Sequence, residues 1–419
     1  MYQKTILIGV FVLIATGPPR LPGSRELEQA FRSGVLQDTD YLLQIVAWAI
    51  AGIALALIMS SRVSEGRLNL SRKMFHGPAK WYLSYGLVAL FSATYSAAPA
   101  YTAFFASKIL ISWFVVSYLL QYGTPEVAAM RVLKIFGYVY AVGFLFLVVL
   151  FFVDPLLVGM DRGVYRLSGG PLGGYGTEAL VTGIFALVYI RHYSESNVGR
   201  LVAMMVYALT WLFVLMSLTR QTMFLAAFAF VLIGLTGDLS PKRVVALLFF
   251  SVVLTVMIIA DWGWNVIVEV FGFATREMSG LETLTGRTIV AAYLIPIWLE
   301  APVFGHGFAS GSRLALLEFV YTTGMGMGTA HSSFVRALIE VGIVGTGLMI
   351  VAFSLAWYEA IRFLRAPSKS INSRVLGKLL LIAMVSATLS LLMSDGLAEG
   401  ELVYVMFILI ASSVSRRLS

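Results

Sequence analysis

The chain has 419 residues, of which 59% are hydrophobic and 12% are charged, and its formal net charge is +8. This composition, with a mean hydropathy of +0.86, excludes an ordinary soluble domain and indicates an integral membrane protein. The sequence contains no cysteine, which excludes a disulfide framework, a thiolate nucleophile and a thiolate metal site.

Apolar runs long enough to cross a bilayer recur along the whole chain. We predict an all-α, polytopic membrane helix bundle of about twelve transmembrane helices, with residues 1–419 as a single transmembrane domain. The first run is short enough to be a signal-peptide core, although no clear cleavage site of small residues follows it. The predicted spans lie near residues 4–17, 41–60, 81–97, 102–121, 134–153, 176–190, 201–217, 221–236, 244–260, 332–357, 379–394 and 401–415.

The distribution of basic residues predicts the orientation of these helices. With a cytoplasmic N-terminus, most Lys and Arg fall in the even-numbered connections, which are then cytoplasmic, as the positive-inside rule requires. Both termini therefore face the cytoplasm. Eleven of the 30 Lys and Arg lie on the outer side or in the outer half of a span: Arg20, Arg25, Arg32, Lys108, Arg162, Arg166, Arg220, Arg276, Arg287, Arg313 and Arg336.

One long extracytoplasmic loop, between the ninth and tenth spans, departs from the pattern of short connections. It covers residues 261–331, and loops of this length in a compact fold are usually functional or disordered. Its many aromatic residues favour order, and the apolar stretches 289–299 and 314–320 predict short helices at the interface or over the bundle. A smaller outer loop carries Arg162 and Arg166 beside a glycine-rich turn.

The four histidines are candidates for proton transfer. His76 and His192 fall in predicted cytoplasmic loops. His306 lies in a turn, where its imidazole can simply satisfy a backbone carbonyl. His331 follows a glycine run and precedes two serines, so this stretch is either a helix-capping neighbourhood or the site of a general base at the mouth of a span.

Several outer cations are placed where the bilayer makes charge costly. Arg220 joins two predicted spans with almost no loop, Arg287 opens an apolar stretch of the long loop, and Lys108 lies roughly two turns into the fourth span. An arginine in this zone usually faces a cavity or a partner, and the alternative is snorkelling to lipid phosphates. For Arg336 we predict a structural role, because Glu340 follows four residues later on the same helical face.

The outer loops lack the motifs of metal or nucleotide sites. They contain no Asp-x-Asp pair, no His-Glu-x-x-His helix and no Walker lysine, so neither a metal nor a cofactor is predicted. In a basic pocket beside lipid, fixed guanidinium groups can stabilise a departing pyrophosphate while His331 takes a proton from a sugar hydroxyl. The glycine run would let the loop close over a bulky substrate.

Four short motifs occur in order in the second half of the chain. They are Thr-Arg-Gln at 219–221, Gly-Arg-Thr at 286–288, Pro-x-x-Gly-x-Gly at 302–307, and Ala-His-Ser-Ser at 330–333 followed by an apolar helix. With these motifs and the long loop, residues 201–351 resemble the O-antigen ligase and O-antigen polymerase superfamily of bacterial membrane glycosyltransferases. Family members often have asparagine after the motif histidine, whereas this chain has Ser332.

The resemblance implies metal-independent transfer of a polysaccharide from undecaprenyl pyrophosphate, on the periplasmic face of the bacterial inner membrane. By position, it implies that His331, Arg287 and Arg220 are the catalytic residues. We add as substrate-binding candidates Arg162, Arg166, Lys108 and His306.

Three functions remain open at this level. We favour a ligase that joins the glycan to the lipid A core oligosaccharide, and a polymerase that extends a lipid-linked glycan is the closest alternative. A polysaccharide flippase or other transporter is a third possibility, but the unusual charges lie on one side and the long loop is unpaired, which favours an enzyme. The expected partners are the lipid-linked donor, the core acceptor and membrane lipids, with no nucleic acid.

Overall fold

The described residues of the computed structural model are almost entirely helical. They comprise residues 76–121, 123–153, 160–161, 164–165, 175–217, 220–234, 280–323, 330, 332–366, 370–393, 398 and 402–414. In chain order, the helices are α1 Gly77–Phe91, α2 Pro99–Leu119, α3 Pro125–Val153, α4 Tyr175–His192, α5 Asn197–Met216, α6 Arg220–Gly234, α7 Gly280–Glu300, α8 Ser310–Thr323, α9 Ser333–Arg365, α10 Ile371–Met393 and α11 Leu402–Val414. Two short antiparallel strands, β1 Met160–Asp161 and β2 Val164–Tyr165, separate α3 from α4.

The helices confirm the predicted all-α class. Every predicted span that falls on described residues coincides with a helix, while the spans at 4–17, 41–60 and 244–260 lie outside the described residues. Five of the helices, α2, α3, α5, α9 and α10, are long and apolar enough to cross a membrane. The count of about twelve spans therefore stays a prediction.

Several predicted boundaries were misplaced: α3 and α10 begin eight or nine residues before the predicted spans, and α9 ends eight residues after its span. The span predicted at 81–97 begins earlier as α1 and ends at Phe91, where a 3-10 turn, Ser92–Thr94, follows. Proline explains both starts in this region, because Pro78 lies in the first turn of α1 and Pro99 in the first turn of α2. Proline has no N–H to leave unsatisfied there, and its fixed φ suits a helix.

The two predicted short helices of the long loop are confirmed and are longer than predicted. The stretch 289–299 lies within α7, and the stretch 314–320 lies within α8. The periplasmic position of residues 261–331 is not tested by these helices and stays a prediction.

The described helices divide between two compact units. The first unit contains α1, α2, α7, α8, most of α9, the second part of α10 and α11. The second unit contains nearly all of α3, then α4, α5, α6, the last turn of α9 and the first part of α10.

Within the first unit, α1, α2 and α11 pack against one another. The buried indole of Trp113 on α2 donates a hydrogen bond to the Ala79 carbonyl of α1 at 2.9 Å. The buried Tyr85 hydroxyl donates to the Ala398 carbonyl at 2.7 Å. These bonds satisfy polar atoms that would otherwise be costly to bury.

Within the second unit, small residues allow α4 to pack closely on its neighbours. A Cβ atom at Gly183 would lie 2.6 Å from the hydroxyl of Thr210 on α5, so the two helices approach too closely for a larger residue. The α5 helix begins at a serine cap, since the Ser196 hydroxyl accepts the Gly199 N–H at 3.0 Å. Its outer side exposes large apolar residues such as Leu201 and Met205, as expected of a lipid-facing surface.

Candidate functional site

The Pro-x-x-Gly-x-Gly motif forms a loop that is inserted into a break in α9. The helix is interrupted at Gly342, whose backbone angles are φ 61° and ψ −166°. After the break, the Ile343 N–H donates to the Pro302 carbonyl at 2.9 Å and the Val344 N–H donates to the Val303 carbonyl at 3.2 Å. Loop carbonyls thus replace the acceptors that an unbroken helix would provide one turn earlier.

The loop also satisfies the carbonyls that the break leaves behind. The His306 N–H donates to the Ile339 carbonyl at 2.7 Å, and the Gly307 N–H donates to the Glu340 carbonyl at 3.0 Å. In a continuous helix these two carbonyls would accept from residues 343 and 344. Two helical hydrogen bonds are therefore exchanged for four bonds to the loop, and this exchange fixes the first half of α9.

The glycines of this junction are required by the close approach of two backbones. A Cβ atom at Gly305 would lie 2.6 Å from the Ile339 carbonyl oxygen, and one at Gly342 would lie 2.3 Å from the Val303 carbonyl oxygen. Both residues also have positive φ, which side chains rarely adopt. The Pro-x-x-Gly-x-Gly motif, one of the four that carried the family resemblance, thus connects the loop to α9. We call this connection the loop joint.

The structure places His306 at the end of α7. Its Nε2 lies 2.8 Å from the Ile297 carbonyl oxygen, and since a carbonyl can only accept, Nε2 carries the proton. The nearby Trp298 indole donates to the Pro302 carbonyl at 3.2 Å. His306 therefore makes the bond to a backbone carbonyl that the sequence analysis gave as its structural role. Its contact with the substrate stays a prediction.

The predicted structural role of Arg336 is confirmed. Its Nε donates to the Glu340 carboxylate at 2.7 Å, and the two side chains are only 3% and 0% exposed. The Ser312 hydroxyl of α8 donates to the same carboxylate oxygen. A guanidinium and a carboxylate neutralise each other inside the unit, and the serine joins α8 to α9.

A buried apolar cluster joins α7, which carries Arg287, to α8, to Ala330 and to α9, which begins shortly after His331. It contains Val290, Leu294, Ala315, Leu316, Phe319, Ala330 and Ile339. Val290 lies three residues after Arg287 on α7, and Ala330 directly precedes His331 in the chain. The structure thus brings the immediate neighbours of these two positions into one packed unit.

A tyrosine packs against this cluster and has an acidic neighbour. Tyr293 contacts Phe319 with ring centroids 5.0 Å apart. Burial raises the pKa of Tyr293, and the charge and hydrogen bond of Glu318 raise it further. In the predicted extracytoplasmic segment, Tyr293 therefore stays a neutral hydrogen-bond donor.

The start of α9 confirms the predicted serine cap. The Ser332 hydroxyl accepts the Val335 N–H at 3.4 Å and donates to the Leu391 carbonyl of α10 at 3.1 Å. His331 itself lies outside the described residues. Its two chain neighbours are nevertheless anchored, Ala330 in the apolar cluster and Ser332 at the cap.

The structure joins Lys108 to an arginine that we had not selected as a site residue. The Lys108 ammonium lies 5.1 Å from the centre of the Phe105 ring, and the Arg313 guanidinium lies 5.0 Å from the same ring. Arg313 also lies 5.1 Å from the Tyr101 ring and is only 7% exposed. Arg313 was one of the eleven outer cations in the sequence, which was the only indication that it could be a site residue. Nothing in the sequence indicated that α8 packs near α2.

The other predicted site residues are only partly described. Arg162 and Arg166 lie outside the described residues. Arg220 is the first residue of α6 in the second unit, and Arg287 lies on α7 in the first unit, but their side chains are not described. The predicted convergence of Arg220, Arg287 and His331 therefore stays a prediction.

Comparison with known proteins supports the resemblance that the motifs indicated. Residues 203–350 match the family model described as O-antigen ligase. This range contains the loop joint, the break in α9 and all three predicted catalytic positions. The match confirms the resemblance of these residues to the O-antigen ligase and polymerase superfamily and supports a function of that general type. No curated protein matches the chain.

Proposed function

We propose that the protein is an O-antigen ligase-like glycosyltransferase that moves a polysaccharide from undecaprenyl pyrophosphate to the lipid A core oligosaccharide. The reaction takes place on the periplasmic face of the bacterial inner membrane. The observation that carries this proposal is the family match over residues 203–350, which contains all three predicted catalytic positions. The packed cluster supports it, because this cluster holds the neighbours of Arg287 and His331 together.

In the proposed reaction, His331 takes the proton of an acceptor hydroxyl. The hydroxyl oxygen bonds to the anomeric carbon of the donor while the bond from that carbon to the pyrophosphate oxygen breaks. The leaving undecaprenyl pyrophosphate keeps the electron pair, and Arg220 and Arg287 stabilise its negative charge. The arginines fill the role that a divalent metal has in other transferases, so the proposed reaction needs no metal.

The geometry at the start of α9 suits a general base at position 331. The residue directly precedes the Ser332 cap. Only a neutral imidazole can accept a proton. The loop joint and the Arg336–Glu340 pair hold the first half of α9, the helix that follows position 331, in place.

Lys108 and Arg313 are the described cations that we assign to donor binding. Both lie on the Phe105 ring, whose face stabilises positive charge without neutralising it. Arg162, Arg166 and His306 stay in the proposal as further contacts to the substrate.

The direct test is transfer in vesicles that contain the purified protein, a lipid-linked glycan donor and a lipid A core acceptor. We expect glycan on the core, with the same rate in the presence of a chelator. Extension of the lipid-linked glycan without transfer to the core would establish the polymerase instead. Movement of donor across the membrane with no new glycosidic bond would establish a transporter and overturn the proposal.

The arginines can be tested in the same assay. We expect Arg220→Ala and Arg287→Ala each to lower the rate by about two to three orders of magnitude, as the loss of a group that stabilises a developing charge does. Arg200→Ala is the matched control, because Arg200 is an exposed arginine in a predicted cytoplasmic connection. Equal loss in all three variants would remove the specific role of Arg220 and Arg287.

A further inference from the structure

Four basic side chains lie where α4 ends and α10 begins in the second unit, beside the hydrogen bond that the Tyr193 hydroxyl donates to the Asn372 amide oxygen at 2.5 Å. Arg191 and His192 form the last turn of α4, and Arg374 and Lys378 lie four residues apart on one face of α10. Lys378 is only 3% exposed, and its Nζ donates to the Ile233 carbonyl of α6 at 3.4 Å. We call these four residues the α4–α10 basic cluster.

The charges that act on His192 are all positive. Burial lowers the pKa of His192 most, and the neighbouring Lys378, Arg191 and Arg374 lower it further. No carboxylate of the described residues is among the groups that shift it, including Glu195, which is only three residues away in the chain. The His192 Nε2 is buried and has no hydrogen-bond partner within the described part of the chain.

The start of α10 favours a counter-charge. The Ser370 hydroxyl accepts the Ser373 N–H at 3.1 Å and so marks this start. Arg374 lies one turn into α10, near the positive end of its dipole, which disfavours a cation, whereas the end of α4 favours the charges of Arg191 and His192. An anion at this position would be stabilised by the dipole, by the four basic groups and by the unpartnered imidazole nitrogen.

The surroundings of the cluster indicate where such an anion would come from. The cluster lies at the start of Ile371–Leu392, an apolar stretch long enough to cross a membrane. Exposed apolar side chains flank it on both helices, Tyr189 on α4 and Ile371 on α10. A phosphate at this depth with an acyl chain beside it is a phospholipid headgroup, and the positive-inside orientation places it in the cytoplasmic leaflet, which is rich in anionic lipids.

We propose that the α4–α10 basic cluster binds the phosphodiester headgroup of an anionic phospholipid. Arg191 and Arg374 contact the phosphate oxygens, and Lys378 lies beside them, on the same face of α10 as Arg374. His192 donates its second ring proton to the phosphate once the anion is bound. This site uses no residue of the proposed glycan transfer, so the failure of one proposal would not contradict the other.

The test uses the full-length protein, freed of lipid in an uncharged detergent, and its thermal unfolding midpoint. We expect phosphatidylglycerol to raise the midpoint in a saturable way, because a ligand that binds only the folded state stabilises it. Phosphatidylcholine and inorganic phosphate at the same concentration and ionic strength should not. No saturable effect, or an equal effect of inorganic phosphate, would overturn the proposal.

A pair of double variants separates the cluster from general basic charge. We expect Arg191→Gln/Arg374→Gln to need at least about tenfold more phosphatidylglycerol for half-saturation, since each basic residue near an anionic surface contributes measurably to binding. The matched control is Arg131→Gln/Arg200→Gln, which removes two exposed arginines of the same unit. Equal weakening in both double variants would show a diffuse attraction and contradict a built site.

The His192 ring gives a readout that does not depend on stability. In protein labelled on histidine nitrogen, the His192 signals can be assigned with His192→Gln. We expect phosphatidylglycerol to move the titration midpoint of this ring upward, because a bound anion favours the charged imidazole. An unchanged midpoint at saturating lipid would contradict the proposed contact.

Discussion

Two charge clusters among the described residues are built on opposite principles. In the first unit, Arg336 and Glu340 form a pair at 2.7 Å, so the charges cancel within the fold. In the second unit, the α4–α10 basic cluster gathers cations, and the described residues whose charges act on His192 are all basic. The balanced pair holds helices together, whereas the unbalanced cluster leaves charge for an anion from outside.

This contrast predicts opposite responses to the loss of one charge. Removing one member of a balanced buried pair leaves an uncompensated charge and destabilises the fold. Removing one cation from an unbalanced cluster relieves repulsion and weakens anion binding instead. The predictions below test this difference, together with the joint that positions the balanced pair.

The largest expected effect is that of Glu340→Ala. The substitution removes the carboxylate that the Arg336 guanidinium contacts, and this guanidinium is only 3% exposed. We therefore expect a loss of about 3–5 kcal/mol in the free energy of unfolding. The double variant Arg336→Met/Glu340→Met removes both charges and should recover most of that loss. Chemical unfolding in detergent measures both. Equal losses in the single and double variants would show that charge balance does not matter here.

The next effect is that of Gly342→Ala at the loop joint. The new Cβ would lie 2.3 Å from the Val303 carbonyl oxygen on a backbone of positive φ, so we expect a loss of about 3 kcal/mol. Gly347→Ala is the matched control on the same helix, because a Cβ there meets nothing within 4 Å. It should leave stability unchanged or raise it slightly. Similar losses at both positions would contradict the joint.

A smaller effect is expected for His306→Ala. The substitution removes the bond from Nε2 to the Ile297 carbonyl, and we expect a loss of about 1 kcal/mol in the free energy of unfolding. The KM for the lipid-linked donor separates this role from substrate binding. A KM that rises more than about tenfold while stability is unchanged would assign His306 to the substrate and not to α7.

The smallest effect concerns the pH dependence of stability. The folded-state pKa of His192 is lowered from its ordinary value of 6.5, so at pH values just below 6.5 the unfolded chain binds more protons than the folded one. Stability is therefore lost as the pH falls through 6.5. We expect His192→Gln to flatten this part of the profile, measured by thermal unfolding without lipid. An unchanged slope would show that His192 does not titrate in this range.

Features that depend on residues close in the chain were predictable from sequence. The helices, the serine cap at Ser332 and the pairing of Arg336 with Glu340 all follow from spacings of three or four residues. Apolar runs likewise located α7 and α8 inside the long loop.

Features that depend on long-range contacts were not predictable. The glycines of the Pro302 to Gly307 motif were noted only as part of the family resemblance. Gly305 is required by a close approach to Ile339 and Glu340, and Gly307 by a close approach to Ser96. The sharing of the Phe105 ring by Lys108 and Arg313 joins α2 to α8, which are far apart in the chain. The hydrophobic pattern of a helix shows that one face is buried but does not identify its partner.

The proposed chemistry depends most on the imidazole at position 331. The most direct test of its role is the rate of glycan transfer by purified His331→Ala in donor-containing vesicles. The control is His76→Ala, a variant of a histidine in a predicted cytoplasmic loop, measured in the same assay. With general-base catalysis, the first variant loses activity by about two to four orders of magnitude and the second keeps it, while both elute as the folded protein does. Full activity in His331→Ala would contradict the proposed role of this histidine.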